Sequence, residues 1–188
     1  MSVNYDQYYK APNLFGAPYP VLLDFFERQP VRGKVLDVGC GQGRDAIALA
    51  RMGYEVVGID HSKVGIEQMN EIAVSKDLSL SGLVADIFEF QNFKSFDFIL
   101  LDSMLHFAKN DKKQEVELIQ SMLIKAKNGC LLVFCLQNTK HKVDMLNHAL
   151  DSNGALERIA EETFLYKFVD SETGHTSETP YKMIVVRV

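Results

Sequence analysis

One stretch decides the fold: Val35-Leu36-Asp37-Val38-Gly39-Cys40-Gly41-Gln42-Gly43-Arg44-Asp45, in which three glycines stand at alternate positions. The apolar residues before the glycines predict a buried strand, and the alanine- and leucine-rich spacing after them predicts a helix. A glycine-rich turn between a strand and a helix allows a ligand to approach the backbone closely. The same turn is also compatible with a tight connection that binds nothing.

Two acidic residues accompany this turn. Asp37 comes just before it, and Asp60 ends the next strand-like segment, 21 residues after Gly39. A carboxylate at the end of a second parallel strand can accept both hydroxyl groups of a ribose. The dinucleotide fingerprint needs a further glycine where Arg44 stands, so the pattern disfavours a pyrophosphate. It favours a nucleoside cofactor without phosphates, and the cationic amino group of S-adenosylmethionine suits a site beside Asp37.

Outward from the turn, strand-like and helix-like segments alternate, which predicts a parallel sheet covered on both faces. The polar stretch DSETGHTSETP, residues 170–180, separates the last two strand-like segments, so the final strand is expected to run antiparallel. The predicted fold class is α/β and doubly wound, with a mostly parallel seven-stranded sheet, helices on both faces and an antiparallel C-terminal strand. Helices are predicted at 21–28, 45–52, 63–75, 114–125 and 140–150, and strands at 34–38, 55–59, up to 85, 96–101, 130–137, 155–169 and 181–188.

Composition limits the classes of partner. The chain has 188 residues, of which 47% are hydrophobic and 24% charged, and this predicts a single domain over residues 1–188. A net charge of -5 gives no basic footprint for nucleic acid. The longest apolar runs fall well short of the roughly 18 residues that cross a bilayer, so no membrane association is expected. The N-terminus lacks a secretory signal and the three cysteines are an odd number, which predicts a cytoplasmic protein without a metal site.

The first 33 residues are predicted to form an N-terminal arm and a short helix. The arm has no helical or alternating periodicity, and it is rich in aromatic residues and prolines. Aromatic faces favour a sulfonium, so the arm is a candidate lid over the cofactor. Ordinary packing in the core is the alternative for its aromatic residues, which are Tyr5, Tyr8, Tyr9, Phe15 and Tyr19.

The longer stretch VLDVGCGQGRDAIALARMGYEVVGIDHS resembles the signature of class I S-adenosylmethionine-dependent methyltransferases. It looks most like the small-molecule branch that includes tellurite-resistance and thiopurine methyltransferases. The resemblance covers roughly Lys34 to Gln137 and implies a Rossmann-like core over residues 34–188. It also implies transfer of a methyl group from S-adenosylmethionine to a small-molecule acceptor, with S-adenosylhomocysteine as the product.

The resemblance implies a role for individual residues. The glycine turn would line the methionine portion, Asp37 would lie under the amino group, and Asp60 would hold the ribose hydroxyls. Asp86 and Ile87 would contact the adenine, although Asp86 is also compatible with a helix or turn cap. The complete set of expected cofactor-binding residues is Asp37, Gly39, Cys40, Gly41, Gly43, Asp60, His61, Asp86, Ile87 and Asp102.

The acceptor side is less well defined by the sequence. Residues 101–107 follow the fourth core strand and lack the Asn/Asp-Pro-Pro-Tyr/Phe sequence of base and amide N-methyltransferases. His106 is the candidate catalytic residue, as a proton acceptor, although it is also compatible with packing beside Phe107 or a bond to a loop carbonyl. A nicotinamide-dependent oxidoreductase and a non-catalytic cofactor-binding module are the alternative functions. The oligomeric state is left open.

Overall fold

The structure is a computed structural model that describes residues 6, 9, 14–152, 154, 156–169 and 176–188. The chain divides into two compact units, Met1–Ile87 and Phe88–Val188. Its strands form a seven-stranded, mostly parallel sheet in the order β3-β2-β1-β4-β5-β7-β6, where the strands are numbered along the chain. This confirms the predicted α/β fold class.

The first unit contains three parallel strands and three helices. β1 pairs with β2, with Val38 opposite Ile59, and β2 pairs with β3, with Asp60 opposite Val84. This register brings the glycine turn after β1 beside Asp60 at the end of β2. The elements are α1 (Pro20–Glu27), β1 (Lys34–Val38), α2 (Arg44–Arg51), β2 (Glu55–Asp60), α3 (Lys63–Ser75) and β3 (Leu80–Val84).

Apolar spacing explains the packing of the first unit. Leu22, Phe25 and Phe26 recur on one face of α1, and all three are buried. The Phe26 and Tyr54 rings meet edge to face at 5.3 Å, and Tyr54 Oη donates to the Phe26 carbonyl at 2.7 Å. These contacts attach α1 to the residue that precedes β2.

The second unit combines parallel and antiparallel pairing. β4 pairs parallel with β5, whereas β7 runs antiparallel to both β5 and β6. The antiparallel C-terminal strand is therefore confirmed, and it lies between β5 and β6. The elements are β4 (Phe98–Asp102), α4 (Lys112–Lys125), β5 (Leu131–Gln137), α5 (Lys140–Asp151), β6 (Glu157–Val169) and β7 (Thr176–Arg187).

The predicted start of the last strand was wrong by five residues. β7 begins at Thr176, because Thr176–Pro180 pair in register with Leu165–Val169 of β6. Polar residues can continue a strand at a position where the side chains face solvent, so their polarity was a poor sign of a turn. Of the predicted connection, residues 170–175 lie outside the described part of the chain.

Other boundaries shift by one or two residues. A turn of 3-10 helix at Phe93–Ser95 precedes β4, which delays the start of the strand from residue 96 to residue 98. Helix α4 begins at Lys112, two residues before its predicted start. In the described ranges, no helix has both the length and the apolar character needed to cross a membrane.

Candidate functional site

The glycine turn adopts a conformation that ordinary residues rarely reach. Gly39, Gly41 and Gly43 have φ of 75°, 54° and 80°, in the left-handed region that favours glycine. The N–H groups of Gly39 and Cys40 both donate to the carbonyl of Ile59, at 2.8 and 3.1 Å. The turn is therefore attached to the end of β2. The absence of Cβ atoms allows close packing against it, since a Cβ added to Gly43 would lie 2.5 Å from Met69 Cγ.

Asp60 holds this turn in place. It is buried, and its Oδ2 accepts from the N–H of Gly41 at 2.9 Å while its Oδ1 accepts from the N–H of Ser62 at 2.8 Å. Each carboxylate oxygen has a second lone pair, so both can still accept from a ligand hydroxyl. His61 lies beside it, with Nδ1 3.6 Å from Asp60 Oδ1.

Asp37 is a buried carboxylate beneath the turn. Among the described residues, nothing donates a hydrogen bond to its Oδ2. Burial raises the pKa of Asp37 well above its ordinary value, and the negative charge of Asp45 acts in the same direction, whereas Arg44 and the N–H of Ala46 oppose the rise. A cationic donor at this position would satisfy the oxygen and bring the pKa back down. The site therefore has the chemistry to hold a ligand ammonium group.

Arg44 and Asp45 form an ion pair at the start of α2. Arg44 Nη2 lies 2.8 Å from Asp45 Oδ2, and both side chains are largely buried. The guanidinium also lies over the ring of Tyr19, 4.7 Å from its centroid. Arg44 stands where a dinucleotide fingerprint has its third glycine. Its side chain is held there by the ion pair with Asp45 and by the Tyr19 ring.

The N-terminal arm is bonded to the first turn of α3. Asp6 Oδ1 accepts from Ser62 Oγ at 2.5 Å and from the N–H of Val64 at 3.4 Å. The Tyr9 carbonyl accepts from Gln68 Nε2 at 2.8 Å. These partners were missed by the sequence reasoning, because contacts between residues more than fifty positions apart leave no local pattern.

The ring of Tyr9 lies directly against two glycines. A Cβ added to Gly41 would lie 2.5 Å from Tyr9 Oη, and one added to Gly65 would lie 3.1 Å from Tyr9 Cε2. Tyr9 is buried, whereas Phe15 is 43% exposed. Tyr5 and Tyr8, which the sequence also placed in the candidate lid, lie outside the described residues.

The remaining predicted residues of the first unit follow β3 and the glycine turn. Asp86 is exposed and Ile87 is partly buried, just after Ala85, whose N–H donates to the Asp60 carbonyl at 2.9 Å. Cys40 is buried, and desolvation together with the charge of Asp37 raises the pKa of its thiol well above the ordinary value. It is therefore an inert thiol that fills space under the turn.

Asp102 belongs to the second unit, at the end of β4. It is buried, and its Oδ1 accepts from Ser103 Oγ at 2.8 Å. Ser103 has a φ of 60°, and its Oγ lies 3.4 Å from Tyr181 Oη on β7. A non-glycine residue in the left-handed region is uncommon and occurs most often where function constrains the backbone.

His106 lies in a loop whose backbone is held by a buried glutamate. Glu115 of α4 accepts from the N–H of His106 at 2.9 Å and from the N–H of Phe107 at 2.5 Å. It is His141, and not His106, that bonds the Phe107 carbonyl, at 3.1 Å. Partial desolvation lowers the pKa of His106, and the positive charge of Lys142 lowers it further. The imidazole is therefore neutral, and able to accept a proton, at neutral pH.

The described residues contain no group of three or more His, Cys, Asp or Glu side chains that could hold a metal ion. Cys40, Cys130 and Cys135 are all buried, and within the described residues none of them forms a disulfide bond. Burial raises the pKa of Cys130 to about 12.

Known proteins resemble this chain in sequence and in structure. The chain is 34% identical over 79 residues to a probable S-adenosyl-L-methionine-dependent methyltransferase, TehB, of Haemophilus influenzae, which covers 42% of this chain and 28% of that protein. It is 32% identical over 88 residues to the 2-heptyl-1-hydroxyquinolin-4(1H)-one methyltransferase of Mycobacteroides abscessus, covering 47% of this chain and 38% of the relative. The matches therefore span well under half the length of these curated relatives.

The crystal structure of TehB from Haemophilus influenzae has the same fold. It superposes with a TM-score of 0.74 at 19% identity, over 97% of this chain and 65% of that one. The family model that matches this chain is the methyltransferase domain, and the match runs from residue 31 to residue 182. It includes the glycine turn, Asp60 and the loop with His106. On this match the chain belongs to the methyltransferase domain family.

Proposed function

We propose that the chain is an S-adenosylmethionine-dependent methyltransferase that acts on a small molecule. The observation that carries the proposal is the unpaired Oδ2 of Asp37, buried under a turn of three left-handed glycines. A buried acceptor without a donor is costly unless a ligand supplies the donor. The amino group of S-adenosylmethionine is a cationic donor of the required kind.

The residues of the first unit fit the other parts of the same cofactor. Asp60 has a lone pair remaining on each oxygen for the ribose hydroxyls, and the glycine turn is assigned to the methionine portion. His61, Asp86 and Ile87 stand at the strand ends beside Asp60 and are assigned to the adenine. Asp102, Gly39, Cys40, Gly41 and Gly43 complete the proposed cofactor set.

Bound S-adenosylmethionine supplies an activated methyl group on a sulfonium, which is already a good leaving group. The work left to the chain is to hold and orient the reactants, which can contribute effective molarities of about 10⁵ M and upward. His106 is the proposed proton acceptor for an acceptor that must lose a proton, because its lowered pKa leaves the imidazole neutral. Glu115 fixes its backbone and is a positioning residue.

The arm is proposed to close over the cofactor. Asp6 and the Tyr9 carbonyl are bonded to α3, and the Tyr9 ring lies against Gly41. Opening these contacts would expose the glycine turn, and closing them would exclude water from it.

We propose that the acceptor is a small molecule and that the reaction takes place in the cytoplasm. The net charge of -5 disfavours binding to the phosphate backbone of nucleic acid. The relatives named above are described as methyltransferases, and one is named for a quinolinone.

Calorimetry on the whole chain tests the cofactor assignment. S-adenosylmethionine and S-adenosylhomocysteine should both bind, and NAD should not. Asp60→Ala should weaken binding by about tenfold to a few hundred-fold, since hydrogen bonds to a charged group contribute roughly 1.5–3 kcal/mol each. Asp24→Ala is the control, because the Asp24 side chain is 66% exposed. Tighter binding of NAD would overturn the cofactor, and binding without transfer in an acceptor screen would favour the non-catalytic module.

A further inference from the structure

A row of aromatic side chains lies on one face of the β6–β7 hairpin. Phe164, Tyr166 and Phe168 alternate along β6 and so share a face. Tyr181 stands opposite Phe164 on β7, with ring centroids 6.0 Å apart, and 5.8 Å from the ring of Tyr166. We call these four residues the aromatic wall. The three aromatic side chains of β6 are partly buried and Tyr181 on β7 is buried, whereas Leu165 on the opposite face of β6 is 59% exposed.

One end of the aromatic wall reaches the end of β4. Tyr181 Oη lies 3.4 Å from Ser103 Oγ, and Ser103 Oγ donates to Asp102 Oδ1 at 2.8 Å. The carboxyl ends of parallel strands are where α/β proteins bind their ligands. The aromatic wall is thus continuous with the strand end at which a ligand is expected.

A cation lies on the same side. Gln137 of β5 is directly opposite Tyr181 in an antiparallel pair, so the two side chains share a face. Lys142 Nζ donates to Gln137 Oε1 at 3.0 Å. Within the described residues, this neutral amide is the single hydrogen-bond partner of an ammonium group that has three donors. Lys142 is half-buried, and desolvation lowers the pKa of its ammonium group, which the charge of Glu115 opposes.

The spacing of the strands fixes the size of a ligand that could contact both features. Adjacent strands lie about 4.8 Å apart, so Phe164 on β6 and Gln137 on β5, which both stand opposite Tyr181, are separated by roughly 10 Å across β7. A planar molecule of two fused rings that carries a carboxylate has a comparable length. Stacked or edge-to-face aromatic contacts reward such a shape more than a puckered aliphatic ring.

We propose that the aromatic wall and Lys142 bind the methyl acceptor, and that the acceptor is a planar aromatic compound with an acidic group, a carboxylate or a phenolate. The ring lies against Tyr166 and Tyr181, and the anionic oxygen faces Lys142. This inference rests on the proposed methyltransferase function and names the substrate class of the same enzyme.

The test is direct binding of a fluorescent aromatic acid, 3-hydroxy-2-naphthoate, to the whole chain saturated with S-adenosylhomocysteine. The chain contains no tryptophan, so the fluorescence of the probe is read without interference. Anisotropy should show saturable binding, and cyclohexanecarboxylate, which has the charge without the planar ring, should compete at least several-fold more weakly than unlabelled 2-naphthoate. Equal competition by the two acids would overturn the planar requirement.

Matched variants test each feature. Tyr166→Ala should weaken probe binding by about two- to tenfold, and Tyr166→Phe should restore it, whereas Leu165→Ala on the opposite face should leave it unchanged. Lys142→Met should weaken binding by about tenfold or more. Lys140→Met is its control, since Lys140 is on the same helix with its side chain 91% exposed.

The outcomes separate the two proposals. Calorimetric binding of S-adenosylhomocysteine is measured on every variant, and it reports both folding and the proposed function. If the unsubstituted chain did not bind S-adenosylhomocysteine, the proposed function would be overturned. Normal S-adenosylhomocysteine binding with no saturable probe binding, or with equal losses in Leu165→Ala and Tyr166→Ala, would overturn the acceptor surface alone. An unchanged affinity in Lys142→Met would overturn the acidic group.

Discussion

The buried carboxylate of Asp37 destabilises the ligand-free fold at neutral pH, and it provides an acceptor for the proposed cofactor. Its burial, together with the charge of Asp45, raises its pKa well above 3.8, and its Oδ2 lacks a donor among the described residues. Because the folded state holds this proton more tightly than the unfolded state, the group stabilises the fold fully below pH 3.8. That contribution is lost as the pH rises through the raised folded pKa.

Asp37→Asn should therefore stabilise the ligand-free chain at neutral pH and weaken cofactor binding. A gain of about 1 kcal/mol would raise Tm by roughly 2–4 °C for a chain of this size, and the gain should shrink as the pH falls. The dissociation constant of S-adenosylmethionine should rise about tenfold or more, because a charge-assisted bond is lost. Thermal melts from pH 4 to 8 and calorimetry measure the two effects.

The pH dependence of binding provides the control for this prediction. In the unsubstituted chain, cofactor affinity should fall as the pH decreases through the raised pKa of Asp37, since protonation removes the negative charge. Asp37→Asn should have a flatter profile, and Asp24→Asn should behave like the unsubstituted chain. A variant that binds S-adenosylmethionine normally would show that the amino group is held elsewhere.

At the scale of elements, Asp6 and Tyr9 of the N-terminal arm are bonded to the N-terminal part of α3, and the Tyr9 side chain is buried. Asp6 bonds Ser62 and Val64, and the Tyr9 carbonyl bonds Gln68. Such a segment can open locally while the strands stay paired, because neither Asp6 nor Tyr9 belongs to a strand of the sheet.

Asp6→Ala should loosen the arm without unfolding the sheet. We expect the dissociation constant of S-adenosylhomocysteine to rise several-fold, and limited proteolysis within the first fifteen residues to become faster. In the unsubstituted chain, added S-adenosylhomocysteine should slow that cleavage. Equal cleavage rates with and without the ligand, together with unchanged affinity in Asp6→Ala, would rule out the lid.

At the scale of the whole molecule, the two proposed ligands are assigned to different units. The glycine turn and Asp60 lie in Met1–Ile87, whereas the aromatic wall and Lys142 lie in Phe88–Val188. Each ligand should therefore protect a different part of the backbone from solvent.

Hydrogen exchange measured by mass spectrometry should resolve the two patterns. S-adenosylhomocysteine should slow exchange most in peptides that cover residues 39–43 and 60–65. Subsequent addition of 3-hydroxy-2-naphthoate should slow exchange in peptides that cover residues 164–168 and 178–183. Exchange in peptides that cover α4 should be unaffected by either ligand. Protection by S-adenosylhomocysteine confined to the second unit would contradict the assignment of the cofactor site.

The glycine turn and Asp60 were predictable because their geometry follows from local sequence. A strand, a turn and a helix are contiguous in the chain, and parallel pairing places the end of β2 beside the end of β1. Asp37 was predictable for the same reason. The mostly parallel sheet and its antiparallel last strand were predictable from the alternation of segments, although the polar residues 176–180 concealed the first part of β7.

Residues that act across long separations were not predictable. From the sequence, a glutamate near the start of a helix is expected at the surface. Glu115 is buried because it accepts hydrogen bonds from the N–H groups of His106 and Phe107. Tyr181 meets Ser103 across 78 positions, and Asp6 meets Ser62 across 56. Such pairs depend on how elements are folded together, and no period or spacing in one sequence specifies them.

The grip of Glu115 has a consequence for how acceptor preference can change. The loop after β4 is fixed by the two bonds to that carboxylate and by the burial of Leu105 and Phe107. His106 contributes its N–H to this frame, and the side chains of Met104 and His106 are not buried. The side chain at position 104 can therefore change without disturbing the hydrogen bonds that fix the loop. Enzymes built on this plan can evolve toward new acceptors at position 104 while His106 and the folding of the loop stay the same.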